Sequence, residues 1–378
     1  MNEKQTNDKR LHAILVIAVF VIVLGGFFVL NRVITPPAVS ESERRPLATL
    51  PELTADSFAS AEYMGDFETW AADSFALRES LRTLRAETVF RAFLQSDKSG
   101  LYLGDSGAGK FDKIREDAWR RSCAKIRILA ERLSEQNVYA AFVPDKSIYA
   151  GKWMPGFDEN LARRIFAEEL PDLTQIDLAG ALTGEDFYRT DLHWSQTQLA
   201  GVMDALGAGM GFIPPVRMAF APPDRADEVQ TAGQFLGVYA GQLAMPMPPD
   251  YLTYVPLTDA SVRVTYLDPA SGVMIEGPLY DFSALSGGDP YNFFLKGPQP
   301  LIVLETSHNG RELILFRDSF GSSLAPLFLG PYSKVTLIDL RYIDSRILDQ
   351  HVTFPPGADV LFLYSSQVLN NPDILLIK

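Results

Sequence analysis

Ser319 sits in the run Arg317-Asp318-Ser319-Phe320-Gly321, directly after the apolar stretch Glu312 to Phe316 (ELILF). A hydroxyl at the end of a strand, just ahead of a helix, is placed to attack a carbonyl. Free backbone N–H groups and the positive end of the helix dipole suit the oxyanion that follows. A serine alcohol is a weak nucleophile and needs a base within hydrogen-bond reach. The chain has only four histidines. His12 abuts an apolar N-terminal run, His308 falls in the expected hairpin turn Ser307-His308-Asn309-Gly310, and His351 lies in a helix-to-loop region. His193 lies in Tyr188-Arg189-Thr190-Asp191-Leu192-His193-Trp194, among polar and aromatic residues. Asp191 and His193 are two positions apart. In an extended segment their side chains share a face, so a carboxylate there can hold one imidazole nitrogen and leave the other free for a serine.

Each motif has a plainer reading. A serine between strand and helix is also an ordinary helix N-cap. An isolated Asp-x-His is commonest in a surface turn. Its other chemical use, metal binding, requires further ligands, and the sequence offers neither a His/Cys cluster nor a His-Glu-x-x-His helix. No metal or cofactor is therefore expected.

The elements that must position these groups follow from periodicity. Residues 61–93 repeat apolar positions at helical spacing (Phe67, Trp70, Phe75, Leu77, Leu81, Leu84, Val89), which predicts a helical pair. Leu101 to Leu103 reads as a short strand. Helices are expected over about 117–136, 160–169 and 196–206, the last with Ser195 as N-cap. Val138 to Val143 (VYAAFV) and Thr174 to Leu178 read as strands. Residues 207–291 are rich in Pro and Gly with short β-like runs, which predicts a mostly β insertion. The last third alternates apolar strands (312–316, 334–339, 359–364) with helix-compatible segments, the pattern of a parallel sheet covered on both faces. Function in such sheets collects past the carboxyl ends of the strands. There lie Arg317-Asp318-Ser319, Leu340-Arg341-Tyr342 and Ser365-Ser366-Gln367.

Ala13 to Leu30 is an uninterrupted apolar run. At helical rise it spans about 27 Å, close to the thickness of a bilayer core. No small-x-small cleavage site follows it, so it reads as a retained transmembrane anchor rather than a signal peptide. Basic residues flank it on both sides (Lys4, Lys9 and Arg10; Arg32, Arg44 and Arg45), so charge barely selects an orientation. The short tail 1–12 is expected in the cytoplasm and the bulk of the chain outside it. Residues 31–58, rich in Pro, Ser and Glu, read as a stalk, and 59–378 as the functional domain. A net charge of −13 argues against a nucleic-acid partner. Cys123 is the single cysteine, which rules out an intramolecular disulfide.

Tyr188-Arg189-Thr190-Asp191-Leu192-His193-Trp194-Ser195 closely resembles the signature of bacterial DHHW proteins. These are related to the alginate O-acetyltransferases and to the wider SGNH hydrolase-like group. The resemblance covers most of the chain after the apolar run. Trp70 through Arg78 resembles an N-terminal Trp/Asp/Phe/Arg motif, and Val143-Pro144-Asp145-Lys146 a Pro-Asn-Lys segment. Phe235-Leu236-Gly237 with Pro249-Asp250, and Gly288-Asp289-Pro290-Tyr291, resemble two middle blocks. Arg317 through Gly321 resembles the nucleophile block, and Asp339-Leu340-Arg341-Tyr342 the block after it.

The resemblance implies an α/β fold: an SGNH hydrolase-like three-layer sandwich with a central, mostly parallel sheet. The motif order is permuted, the Asp-x-His preceding the serine. It implies Ser319 as nucleophile, His193 as general base and acid, and Asp191 as its orienter. It further implies acetyl transfer to an extracellular polysaccharide, with acetyl supplied by a multi-pass membrane O-acyltransferase partner. Leu192 departs from the pattern, since the family has histidine there. The intervening side chain is expected to point away from the serine. Ser365-Ser366-Gln367 lacks the Gly-x-Asn-Asp block of ordinary SGNH enzymes and leaves the second oxyanion donor without a residue.

Four further residues are candidates for substrate contact, each with a structural alternative. Trp194 is a sugar-stacking platform or core packing beside the histidine. Arg341 binds an anionic or carbonyl group, or pairs with Asp191 or Asp318. Lys146 lines a pocket or the surface, and Tyr291 binds or packs. Two other functions remain open at this level, an acetylesterase of the same fold and a non-catalytic glycan-binding or assembly protein.

Overall fold

The computed structural model describes residues 3–104, 107–214, 230–257 and 261–378. Contacts divide the chain after Phe93 into two units.

The first unit holds a long helix, Glu3–Val33, whose segment Arg10–Val33 has a mean hydropathy of 3.2 and is long and apolar enough to cross a membrane. Residues 31–58, read above as a stalk, contain a short antiparallel pairing of Val39–Ser40 with Arg45–Pro46. The pairing is held by charge: both terminal nitrogens of Arg45 donate to the Asp73 carboxylate at 2.7 Å. The expected helical pair is present as Glu62–Ser74 and Arg78–Glu87, followed by one wide turn, Thr88–Ala92.

The second unit is built on an eight-stranded sheet. In chain order its strands are β1 (Asn137–Val143), β2 (Thr174–Gln175), β3 (Arg263–Leu267), β4 (Met274–Glu276), β5 (Leu301–Glu305), β6 (Arg311–Arg317), β7 (Tyr332–Ile338) and β8 (Asp359–Ser365). Their spatial order is β4-β3-β5-β7-β6-β8-β1-β2. Five strands, β7 through β2, run parallel. The pairings β5–β7, β3–β5 and β3–β4 are antiparallel. The sheet is therefore mixed, and the expectation of a mostly parallel one is corrected on that side. The cause lies in residues 207–291. Rather than forming a separate β insertion, they supply β3 and β4 to the main sheet, while Gln230–Phe235 and Asp250–Tyr254 pair on their own. Residues 215–229 and 258–260 of that region lie outside the described residues.

Alternation along β6 explains the layering. Leu313 and Leu315 enter one core with the helix Ala200–Met210 and the segment Phe320–Leu329. Ile314 and Phe316 enter the other with the helices Glu116–Ala130 and Glu159–Glu169. Both faces are thus covered, as a buried parallel strand requires. Phe316 stacks on Phe362 of β8, ring centres 4.6 Å apart. Two local expectations change. His308 is not in a hairpin, because β5 and β6 are both paired to β7, which lies between them. The helix expected to start at Gln196 opens with a short 3-10 turn, Gln196–Gln198, before Ala200–Met210.

Candidate active site

Ser319 leaves the end of β6 and begins the short helix Phe320–Leu324. Its Oγ makes no capping bond. Instead it lies 2.8 Å from His193 Nε2. His193 Nδ1 lies 2.6 Å from Asp191 Oδ1. The three groups form one continuous hydrogen-bonded relay, half-buried at the serine and fully buried at the aspartate. This is the arrangement in which an imidazole can take a hydroxyl proton while a carboxylate steadies the resulting cation.

The elbow that carries Ser319 is fixed from two sides. Asp318 accepts from Phe320 N–H at 3.0 Å and from Ser365 N–H, at the end of β8, at 2.7 Å. Gly321 folds back over Arg317, and a Cβ there would stand 2.6 Å from Arg317 Cβ. Only glycine fits so close an approach. Arg317 is buried beneath the elbow and donates to Ser322 Oγ at 3.1 Å. Because Phe320 N–H is spent on Asp318, the helix start offers fewer free donors than its sequence suggested. Ser319's own N–H has no acceptor among the described residues.

Asp191 and His193 are not on a strand. They lie in a bent loop closed by the bridge between Phe187 and Trp194. The side chains converge through an Asx-type turn, with His193 N–H donating to Asp191 Oδ1 at 3.1 Å. Asp191 Oδ2 accepts from Val238 N–H at 2.8 Å, so ring and backbone donors satisfy the carboxylate. Gly237 packs so tightly here that a Cβ would meet Asp191 Cβ at 2.3 Å and Thr190 O at 2.4 Å. Asp250 braces the same loop from the opposite pairing strand. It accepts from Arg189 N–H at 2.9 Å, Thr190 N–H at 2.7 Å and Thr190 Oγ1 at 2.5 Å.

Lys146 Nζ donates to the carbonyls of Tyr188 at 2.9 Å and Asp191 at 3.0 Å. It ties the loop to the end of β1. Burial pushes its ammonium down to about 8, against the partly compensating charges of Asp191 and Asp250. Lys146 thus supports the loop rather than presenting a free charge.

The other candidates resolve in the same direction. Trp194 is fully buried, so it presents no face to a sugar. Its Nε1 donates to Phe320 O at 3.1 Å and Ser323 Oγ at 2.9 Å, which joins the histidine loop to the helix that follows Ser319. Tyr291 is buried and packs. Its ring stacks on the His193 imidazole with 3.8 Å between centres, and its hydroxyl donates to Ser323 Oγ at 2.8 Å. Burial holds that hydroxyl well above the usual phenol range. Arg341 pairs in two-pronged fashion with Asp339, at 2.8 and 2.6 Å, rather than with Asp191 or Asp318. Leu192, the departure from the family pattern, packs against the sheet core.

Sequence reasoning missed Ser323, Gln196 and the bracing role of Asp250. Gln196 Nε2 donates to Ser323 O at 2.7 Å while its Oε1 accepts from Val255 N–H at 2.9 Å. No local signal marks Ser323 or Gln196. Phe235-Leu236-Gly237 and Pro249-Asp250 did stand out, yet only the fold shows that they close on Thr190 and Asp191. Among the described residues no group of three or more His, Cys, Asp or Glu could hold a metal ion.

Solved structures share this architecture. A DHHW family protein from Eubacterium siraeum superposes with a TM-score of 0.57 at 20% identity, over 74% of this chain and 95% of that one. The fold is that of a DHHW family protein. Bacillus cereus PatB1 superposes with a TM-score of 0.55 at 18% identity, over 74% of this chain and 99% of its own. It has also been solved with a sulfonyl adduct. The O-acetyltransferase domain of Pseudomonas putida AlgJ aligns at 14% identity over 72% of this chain and 92% of its own, with a TM-score of 0.44. No family model matches the chain, and no curated protein matches it. The fold brings the strand-end serine and the bent histidine loop, 126 residues apart in the chain, within hydrogen-bond distance.

Proposed function

We propose that the chain is a serine-dependent O-acyltransferase, moving an acyl group, acetyl by its resemblance, onto a hydroxyl of an extracellular polysaccharide. The observation that carries the reading is the unbroken relay from Asp191 through His193 to Ser319. In the first half-reaction His193 Nε2 takes the proton from Ser319 Oγ as the oxygen attacks the acyl carbonyl. The Ser319 N–H donates to the developing oxyanion. The tetrahedral intermediate collapses to an acyl-serine, and the imidazolium returns its proton to the leaving group. In the second half-reaction His193 takes a proton from the acceptor hydroxyl as it attacks the acyl-serine, and the imidazolium returns that proton to the departing Ser319 Oγ, releasing the acylated glycan.

The apolar helix near the N-terminus supports a single-pass anchor. We place residues 1–12 in the cytoplasm, 13–30 in the membrane and the Ser319 domain outside. There it would meet acetyl groups delivered by a multi-pass membrane acyltransferase. Water in place of the glycan hydroxyl would resolve the same acyl-serine, so an esterase is the competing outcome.

Purified full-length protein in detergent, given an activated acetyl ester with and without a candidate glycan, separates the two. The transferase reading expects ester-bound acetyl on the glycan. Acetate release with an unmodified glycan, across acceptors of differing charge and linkage, would favour the esterase. Lack of any turnover with an unreactive Ser319 would leave a binding protein.

A further inference from the structure

The turn between the two helices of the first unit is built unlike a turn that faces water. Glu62–Ser74 ends at Phe75, and Arg78–Glu87 begins after Leu77. Leu77 has φ of 60°, the left-handed region. Glycine or asparagine takes that conformation most readily, because a branched apolar side chain is strained there. The chain keeps leucine, and keeps it 51% exposed. Phe75, at the other side of the turn, is 38% exposed. An apolar tip held in a strained turn and presented outward calls for an apolar solvent.

The first unit itself says where that tip lies. The Phe75 ring contacts the ring of Phe27 in the long N-terminal helix, 5.0 Å between centres. Phe27 is the one residue of the run 13–30 that is half-buried rather than exposed. It sits three residues before the end of that run, about 4.5 Å along the helix axis. Ala76 N–H donates to the side-chain oxygen of Asn31 at 2.6 Å. A free backbone N–H is costly at membrane depth, and here the helix supplies its acceptor. Immediately on either side of the tip the polarity reverses. Asp73 and Arg78 are joined at 3.1 Å, and Arg45, Glu43, Glu79 and Arg82 extend the pairing into a charged collar. Beside the turn opens a cavity of about 480 Å³, its apolar wall formed by Ile34, Pro36, Val39, Leu47 and Phe75.

We propose that Phe75, Ala76 and Leu77 form a wedge that inserts into the lipid leaflet from which the N-terminal helix emerges, with acyl chains as its partner. The wedge rests on reading residues 13–30 as a membrane anchor. Its charged collar lies at headgroup level, where paired arginines and carboxylates remain hydrated. The depth expected for Leu77 is that of an interfacial side chain, about 5–10 Å below the headgroup boundary.

Cys123 is fully buried and is the only cysteine, so a new surface cysteine can be labelled alone. Full-length protein carrying Leu77→Cys, Val21→Cys or Glu131→Cys is spin-labelled and placed in nanodiscs of phosphatidylethanolamine and phosphatidylglycerol. One label per chain shows that Cys123 stays buried and the fold is kept. Collision with oxygen, which enters lipid, is compared with collision with a water-soluble nickel chelate. The wedge predicts that the Leu77 label favours oxygen severalfold over the Glu131 label, and less than the Val21 label does. An aqueous Leu77 label beside a lipid-exposed Val21 label overturns the wedge and leaves the anchor standing. Aqueous labels at both positions overturn both.

Discussion

The ring of Tyr291 lies flat on the imidazole of His193, 9° between planes and 3.8 Å between centres. From sequence Tyr291 either binds or packs, and in the fold it packs as a wall against the His193 imidazole. Its hydroxyl reaches Ser323 on the helix that follows Ser319, so one side chain touches both the imidazole and the element that carries the serine. Tyr291→Phe keeps the stack and loses one hydrogen bond, with an expected cost of about 1 kcal/mol in stability and little change in turnover. Tyr291→Ala removes the wall and is expected to cost about 3–5 kcal/mol and most of the activity. Thermal unfolding and ester turnover, measured on the same two variants, check both parts.

Asp191→Asn tests the orienter. The amide preserves shape but can no longer stabilise an imidazolium, so turnover is expected to fall by about 10³–10⁴ with the fold intact. Circular dichroism alongside ester kinetics distinguishes this from unfolding. A loss under tenfold would mean that Asp191 serves the loop and not the base.

Gly237→Ala places a methyl where Asp191 Cβ and the Thr190 carbonyl already stand. Both neighbours are part of the braced loop and cannot move without breaking the contacts to Val238 and Asp250. Activity is expected to drop sharply although residue 237 touches no reacting atom. Asp250→Ala acts on the same loop by removing the acceptor shared by the Arg189 and Thr190 N–H groups and the Thr190 hydroxyl, with an expected loss of about 2–4 kcal/mol. Denaturant unfolding measures that loss, and near-native stability of Asp250→Ala would contradict the bracing role.

Lys146 gives a pH dependence. Its folded value, about 8, lies below the ordinary lysine value because burial penalises the charge. Between about 8 and the unfolded value the denatured chain holds a proton that the native chain has released. Stability contributed by this group therefore rises with pH through that window and is lowest below it. The charge that helps hold the Tyr188 and Asp191 carbonyls is lost over the same range. Turnover is expected to decline above about pH 8 in the wild type, and Lys146→Met should lack that alkaline limb while being slower throughout. A pH profile of kcat for the two proteins decides it, and an unchanged limb in Lys146→Met would assign it elsewhere.

The two motifs whose side chains meet were legible because each is local: Asp191-Leu192-His193 and Asp318-Ser319-Phe320-Gly321 each span only a few residues. The strand that leads into Ser319 and its two neighbours were legible for the same reason, since β6, β7 and β8 each carry a largely apolar, buried stretch. The antiparallel half of the sheet was not. β3 (RVTYL) follows a Pro- and Gly-rich stretch, and nothing within it says that its partner is β5, with the two pairing Arg263 to Glu305. The bend at Asp191 was read as an extended segment because spacing alone cannot tell an i, i+2 pair on a strand from an Asx turn. Trp194 and Arg341 could each be read as a ligand contact or as a structural residue, because sequence shows a side chain's type and not its partner. The partners that claim them, Ser323 and Asp339, become evident only in the fold.

The account stands on an acyl group residing on Ser319. Full-length protein mixed with an activated acetyl ester, quenched in acid within the first turnover and mapped by peptide mass spectrometry, reads this directly. An acetyl group on the peptide bearing Ser319 is expected, absent in Ser319→Ala and strongly diminished in His193→Ala. Turnover of the ester with no acetyl ever trapped on Ser319, and undiminished turnover in Ser319→Ala, would contradict it.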